Sequence, residues 1–174
     1  MLKKEKKITK TQRILGVYYL LSNYEEVSFK ELTDSLPGWC EKTFTRDISL
    51  LKKAGIPVKF SLKLKAYVLE FQERAKPRLS KNKAEVRYIK KIMRLTRMMD
   101  EMPGEDCDKW YEDAFPDVSK RTMQRDFATL NAVGYRIKYE RESYNYHDSG
   151  IDLPPGHYYF DSPYGEELEI FRRF

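Results

Sequence analysis

The 174 residues predict a mainly α fold with small β elements, laid out as two copies of one small domain in tandem, and three observations carry that prediction. First, the stretch Leu36 to Phe60 recurs without a gap, 79 residues on, as Phe115 to Tyr139. Seven of the 25 aligned positions are identical: Pro37 with Pro116, Thr43 with Thr122, Arg46 with Arg125, Asp47 with Asp126, Leu51 with Leu130, Gly55 with Gly134 and Lys59 with Lys138. Most others keep their polarity, as in Phe44 with Met123, Ile48 with Phe127, Val58 with Ile137 and Phe60 with Tyr139. Second, each copy reads as a turn, an apolar pattern of helical period, a glycine stop and a short β-branched or aromatic run. Third, the length suits two units of roughly 75 to 90 residues, each able to bury a core.

In chain order, Ile14, Leu15, Val17, Tyr18 and Leu21 recur at helical spacing, predicting a first helix over Thr11 to Ser22 with Thr11 as its cap. Ser28 with Glu31 three residues on is a capping-box pattern and opens a short helix, Phe29 to Ser35. Pro37-Gly38 turns the chain. A third helix runs from about Glu41 to Lys53 and stops at Gly55, where a left-handed C-terminal cap is expected. Val58 to Phe60 and Ala66 to Leu69 read as two strands joined by a short turn.

The second copy keeps this order. A long helix is expected from about Ala84 to Met99, then an acidic loop around Pro103-Gly104 and a helix over roughly Asp108 to Phe115. Pro116-Asp117 makes the turn, and Ser119 caps a third helix that ends at Gly134. Tyr135 to Arg141 and His157 to Phe160 read as strands across a long polar loop holding Gly150 and Pro154-Pro155-Gly156. Phe71 to Lys83 contains Pro77 and no periodicity, so it reads as an exposed basic linker, and Glu166 to Phe174 as a helical turn that docks Phe171 or Phe174. The domain bounds are therefore 1–70 with a basic N-terminal arm, 71–83 as linker, and 84–174.

Three helices and a two-stranded ribbon follow one another as in a winged helix, a helix-turn-helix variant whose third helix enters a DNA major groove. The fold class is then mainly α with small β-wings, as two tandem winged helix-turn-helix domains. Thr43-Phe44-Thr45-Arg46-Asp47 followed by Leu51 and Gly55, and Ser119-Lys120-Arg121-Thr122-Met123-Gln124-Arg125-Asp126 followed by Leu130 and Gly134-Tyr135, resemble bacterial DeoR-type and WYL-associated regulators. Their pattern is Ser-x-x-Thr-x-x-Arg-Asp, then leucine and a glycine before the wing. The second copy matches throughout, whereas the first carries Cys40 in place of the serine. The resemblance implies sequence-specific binding of double-stranded DNA and transcription regulation. A ligand-sensing domain usually follows in the WYL type, and this chain reaches Phe174 without one.

The residues support DNA contact apart from that resemblance. At about 100° per residue, Phe44, Ile48, Leu51 and Gly55 share one face of the first third helix, and Lys42, Arg46, Ser49 and Lys53 the opposite one. In the second copy Met123, Phe127, Leu130 and Gly134 face in, while Arg121, Arg125, Ala128 and Ala132 face out. A stripe that is basic near its start and short-chained further along suits a helix body approaching a groove. The candidate DNA-binding residues are Lys42, Thr43, Thr45, Arg46, Ser49 and Lys53, with Lys63 and Lys65 on the first wing, and Ser119, Lys120, Arg121, Thr122, Gln124 and Arg125 in the second copy. Asp47 and Asp126 lie between the two faces, where their expected role is to anchor a basic side chain or the turn. Thr43 and Thr122 serve either a phosphate or their own helix turn.

Net charge is +6, unevenly spread. Residues 1–13 carry +5 and residues 71–97 carry +8, against −7 over residues 100–117, so positive charge leads into each repeat as a footprint for a polyanion or as solvated linker. The first wing, with Lys59, Lys63 and Lys65, is expected on DNA, and the acidic second wing, about 141–156, on protein. A homodimer through that wing or the C-terminal tail is the further partner expected. Cys40 and Cys107 form no C-x-x-C and read as buried, reduced thiols. The aromatic run from Tyr135 to Tyr164 reads as cross-strand packing before base stacking.

His147 and His157 lack a nucleophile at recognisable spacing, and no Gly-rich phosphate loop, metal-ligand spacing or apolar run of membrane length is present. The expectation is no enzyme, no cofactor, no metal and no membrane, in a cytoplasmic, nucleoid-associated protein. Two rivals stand beside the regulator: a replication or partition initiator on iterated origin sites, and a scaffold whose winged helices bind proteins.

Overall fold

The computed structural model describes residues 8–70, 74–141, 144–146, 151–153 and 156–161. Among these residues the fold is mainly helical, with six helices and small antiparallel sheets, and no helix is long and apolar enough to cross a membrane. The contacts divide the chain into two units, one reaching Thr96 and one beginning at Arg97.

The first unit opens with α1 (Lys10–Asn23), capped by Thr9 instead of Thr11. The reason is reciprocal: Thr9 Oγ1 accepts from Gln12 N–H while Gln12 Oε1 accepts from Thr9 N–H, a closed capping box. Thr11 uses its hydroxyl on Tyr88 instead, at 3.3 Å. Ile14, Leu15 and Val17 lose essentially all solvent contact, because α1 packs on α3 (Glu41–Lys53) and on β3 (Ala66–Leu69). The short helix α2 (Phe29–Ser35) has the capping box expected of Ser28 and Glu31, and the Ser28 bonds hold the Glu31 carboxyl below the ordinary range. Strand β2 (Val58–Ser61) pairs with β3 as expected, but β1 (Val27–Ser28) adds a third strand, in the order β1-β3-β2. Two residues are too few to show a period of two, and Ser28 already serves as a cap, so the pattern hides this strand.

From residue 74 on, the segment expected as an exposed linker keeps most side chains in solvent, yet its backbone is tied down. Ala75 N–H donates to Gly55 C=O at 2.9 Å, Arg78 N–H to Lys53 C=O at 2.8 Å, and the Arg74 guanidinium reaches Thr96 Oγ1 and Tyr18 Oη at 2.8 and 3.2 Å. Helix α4 (Lys83–Glu101) then opens the second copy of the repeat but shares its early contacts with the first unit, through Tyr88 and Glu85. Repeat register and contact density thus mark different boundaries, 84 and Thr96/Arg97.

In the second unit α5 (Cys107–Ala114) and α6 (Lys120–Asn131) are followed by β4 (Arg136–Glu140), β5 (Tyr144–Tyr146), β6 (Ile151–Leu153) and β7 (His157–Asp161). β4 pairs with β7, and β5 with β6, so a small hairpin stands where a polar loop was expected. The expected terminal helical turn lies outside the described residues. Phe160 N–H bonds Gly104 C=O at 2.7 Å and Tyr158 N–H bonds Asp108 Oδ1 at 3.1 Å, which occupies the β7 edge much as β1 occupies that of β3.

The 79-residue register reappears as hydrogen bonds. Thr43 N–H to Cys40 C=O recurs as Thr122 to Ser119, Gly55 to Lys52 as Gly134 to Asn131, and Ile56 to Leu51 as Tyr135 to Leu130. The cross-strand ring pair Phe60–Tyr67 at 5.0 Å recurs as Tyr139–Tyr158 at 4.9 Å, which assigns those aromatics to packing.

Gly55 and Gly38 test the C-terminal cap of α3. Both have positive φ, 87° and 85°, but a Cβ on Gly55 would stand 2.1 Å from the Ala75 carbonyl oxygen while one on Gly38 meets nothing within 4 Å. We expect Gly38→Ala to cost about 1–2 kcal/mol and Gly55→Ala about 3 kcal/mol or more, since backbone must move. Urea denaturation of the two variants checks the difference, and equal costs would show that the Ala75 contact yields freely.

Candidate nucleic-acid interface

The amphipathic pattern of α3 decides which side it buries. Phe44, Ile48 and Leu51 are buried, Phe44 meeting the Phe29 ring edge-on at 5.9 Å, while Lys42, Thr45, Arg46 and Ser49 are exposed. Between the faces lies Asp47, with no exposure at all. Arg13 of α1 binds it with two hydrogen bonds, Nε to Oδ2 at 2.5 Å and an Nη to Oδ1 at 3.1 Å, and the guanidinium also lies 4.1 Å from the centre of the Trp39 ring. This bidentate, stacked pair fixes the rotation of α3 about its own axis. Arg13 is consequently lost from the basic N-terminal footprint, and Lys10 lies over the Tyr88 ring at 4.8 Å.

In α6, Met123, Phe127 and Leu130 are buried, and Lys120, Arg121, Gln124, Arg125 and Ala128 are exposed. Asp126 is again buried, accepting a hydrogen bond from the Tyr111 hydroxyl at 2.7 Å. Tyr111 stands where the first copy has Leu32, so this donor is particular to the second copy. Asn131 clamps α6 to β4 through two bonds with the Ile137 backbone, each 2.8 Å. Both aspartates therefore anchor structure, as their position between the faces implied.

The two helix starts differ as the sequences do. Ser119 Oγ accepts from Thr122 N–H, and the two hydroxyls lie 3.0 Å apart. Cys40 makes no side-chain cap bond, and its thiol sits 3.5 Å from Thr43 Oγ1. Cys40 is exposed, contrary to expectation, because a residue at the start of an outward-facing helix has no core to enter; Cys107 is buried as expected. The Thr43 hydroxyl draws the Cys40 thiol's pKa down, whereas burial pushes that of Cys107 up to about 12. Thr45 Oγ1 is committed to the Glu41 carbonyl at 2.9 Å.

Two lysines stand apart from the stripe. Lys53 Nζ donates to Glu85 Oε1 at 2.6 Å, which together with Ser80 holds the Glu85 carboxyl below its ordinary range. Lys59 pairs with Glu70. Of the candidate cations of the first unit, Lys42 and Arg46 are exposed on α3 and Lys63 and Lys65 in the β2–β3 turn, and Lys52, not among the candidates, is exposed on α3 as well. Arg13 and Glu85 were not among the candidates, and the signal for each was available. Arg13 shares a helical face with Gly16, Val17 and Leu20, and Glu85 is one of only two acids in the basic stretch 71–97. Side chains between 142 and 155, in the segment expected as a second wing, lie outside the described residues.

No family model, curated protein or solved structure matches the chain.

Two expectations follow. Asp47→Asn strands the Arg13 charge and should cost about 3–5 kcal/mol, while Asp47→Asn with Arg13→Met costs markedly less; a urea double-mutant cycle gives the coupling, and additive effects would deny the pair its role. Treated with a thiol reagent at pH 8, Cys40 should react rapidly in the native protein and Cys107 only after denaturation, as mass mapping would show.

Proposed function

We propose that the chain binds double-stranded DNA through two tandem winged helix-turn-helix units, each laying its third helix in a major groove, and that it regulates transcription in a bacterial cytoplasm. The observation that carries this reading is the paired exposure of Arg46 and Arg125. They stand 79 residues apart in the same register, each on the outward face of a helix whose neighbouring aspartate is buried. Burying the acid leaves no exposed acid on α6 and only Glu41, in the first turn, on α3, so cations predominate on both outer faces and favour phosphate and guanine edges. The first-turn cations Lys42, Lys120 and Arg121 extend the same stripe, and the resemblance of Ser119 to Asp126 to DeoR-type and WYL-associated regulators agrees with it.

Two readers on one chain raise each other's effective concentration, so modest separate affinities combine. Selection from a random duplex pool, or sequencing of genomic DNA that co-purifies with the protein, would give the sites. Promoter sites support a regulator, and iterated arrays beside an origin an initiator.

The full chain should bind selected duplex with an affinity that falls steeply between about 50 and 200 mM salt. Arg46→Ala, Arg121→Ala and Arg125→Ala should each cost about 1–3 kcal/mol, with relaxed specificity where a base edge is read or a salt slope reduced by about 1 where a phosphate is held. Lys53→Ala, already paired with Glu85, and Lys3→Ala, one of many arm lysines, should each cost less. A flat salt response, or arginine variants that bind as well as the parent, would overturn the reading.

A further inference from the structure

The turn Leu62–Lys65 between β2 and β3 presents large apolar side chains to water. Leu62 is 84% exposed and Leu64 49%, and Phe60 at the end of β2 is 48% exposed with its other edge against Tyr67. Among the described residues few other large hydrophobics are so exposed, and none cluster like these three. The tip is not a slack loop. Leu64 N–H bonds Ser61 Oγ at 3.3 Å, Lys65 takes a left-handed φ of 52°, and Ser61 pairs with Ala66 to close the turn.

Charge and size select the occupant. Lys63 and Lys65 flank the leucines, both exposed, and no acid occurs from Phe60 to Leu69. A protein partner of ordinary kind needs roughly 20–30 residues a side, and three apolar side chains on a narrow ridge fall far short. A two-stranded ribbon is as wide as a major groove, but the turn at its tip projects single leucine side chains with cations beside them, a shape that suits a minor groove about 6 Å wide between two rows of phosphates. Apolar side chains there act by entering between base steps and unstacking them.

We propose that Leu62 and Leu64 form an apolar wedge that enters the DNA minor groove beside the α3 site and bends the duplex, with Lys63 and Lys65 holding the flanking phosphates. This rests on the DNA-binding reading and adds a structural consequence to it. The wedge reads deformability: flexible pyrimidine–purine steps open at least cost, so specificity extends to positions no side chain hydrogen-bonds.

The test uses the full chain and a duplex of about 30 base pairs selected by it, labelled at both ends for energy transfer and carrying 2-aminopurine at successive steps. The parent should shorten the end-to-end distance by a bend in the range of about 20–90° and brighten 2-aminopurine at one step. Leu62→Ser/Leu64→Ser, a change confined to exposed positions, should keep the fold by circular dichroism, abolish both signals and weaken binding by about tenfold. Lys63→Gln/Lys65→Gln should lower the salt slope by about 2. Bound but straight duplex, or a leucine variant that bends it as well as the parent, overturns the wedge and leaves the DNA reading standing. Failure of the parent to bind any duplex overturns both. A parent dimer that the leucine variant turns monomeric in sedimentation assigns the tip to a second copy and also overturns the wedge.

Discussion

The orientation of α3 depends on one buried interaction, the bidentate contact of Arg13 with Asp47. A helix packed only by Phe44, Ile48 and Leu51 has an apolar stripe on which it can roll by some tens of degrees at little cost. A carboxylate at the border of that stripe removes the freedom, since it must either meet its guanidinium or be left unsatisfied in the core. Trp39, stacked on the same guanidinium, brings the turn before α3 into the arrangement. The outward direction of Arg46, its immediate neighbour in sequence, is then fixed by where Asp47 points in.

That constraint also accounts for charge. An acid beside each arginine looks, in a linear reading, like a neutralising neighbour. Successive helical residues are about 100° apart, so the acid at 47 or 126 can be buried while the base at 46 or 125 remains in solvent. The sequence pair Arg-Asp is thus a device for separating signs across a helix, which a net charge counted over a window cannot register.

How far the residues announced this varies with the kind of signal. Helices α2 and α3 and the start of α6 were legible nearly to the residue, because each has a local signal, Ser28 with Glu31, the Gly55 stop, or Ser119, and caps act within four residues, whereas α6 ends at Asn131, three residues before the expected Gly134. The start of α1 was shifted by two because Thr9 and Thr11 are both acceptable caps and only the partner at Gln12 decides. β1 was hidden by its length, and the tie of residues 74–78 to α3 by its chemistry: it is made by backbone groups, which every sequence has. Among the candidate contacts, the outward stripe followed from periodicity alone. The commitment of Lys53 to Glu85 did not, because it joins positions 32 residues apart with no pattern between them.

The bonds from Ala75 and Arg78 to the end of α3 bear on what counts as a unit of this protein. The copied block ends near Phe60 and its ribbon at Leu69, so a cut after Glu70 would preserve every repeated feature. It would also deprive the Gly55 and Lys53 carbonyls of the N–H groups that meet them and remove Glu85 from Lys53, leaving the last turn of the outward helix to fray. The piece that is inherited as a module is therefore smaller than the piece that can stand alone, and fragments meant to fold should be drawn by following backbone donors beyond the ribbon, not by the edges of the duplication.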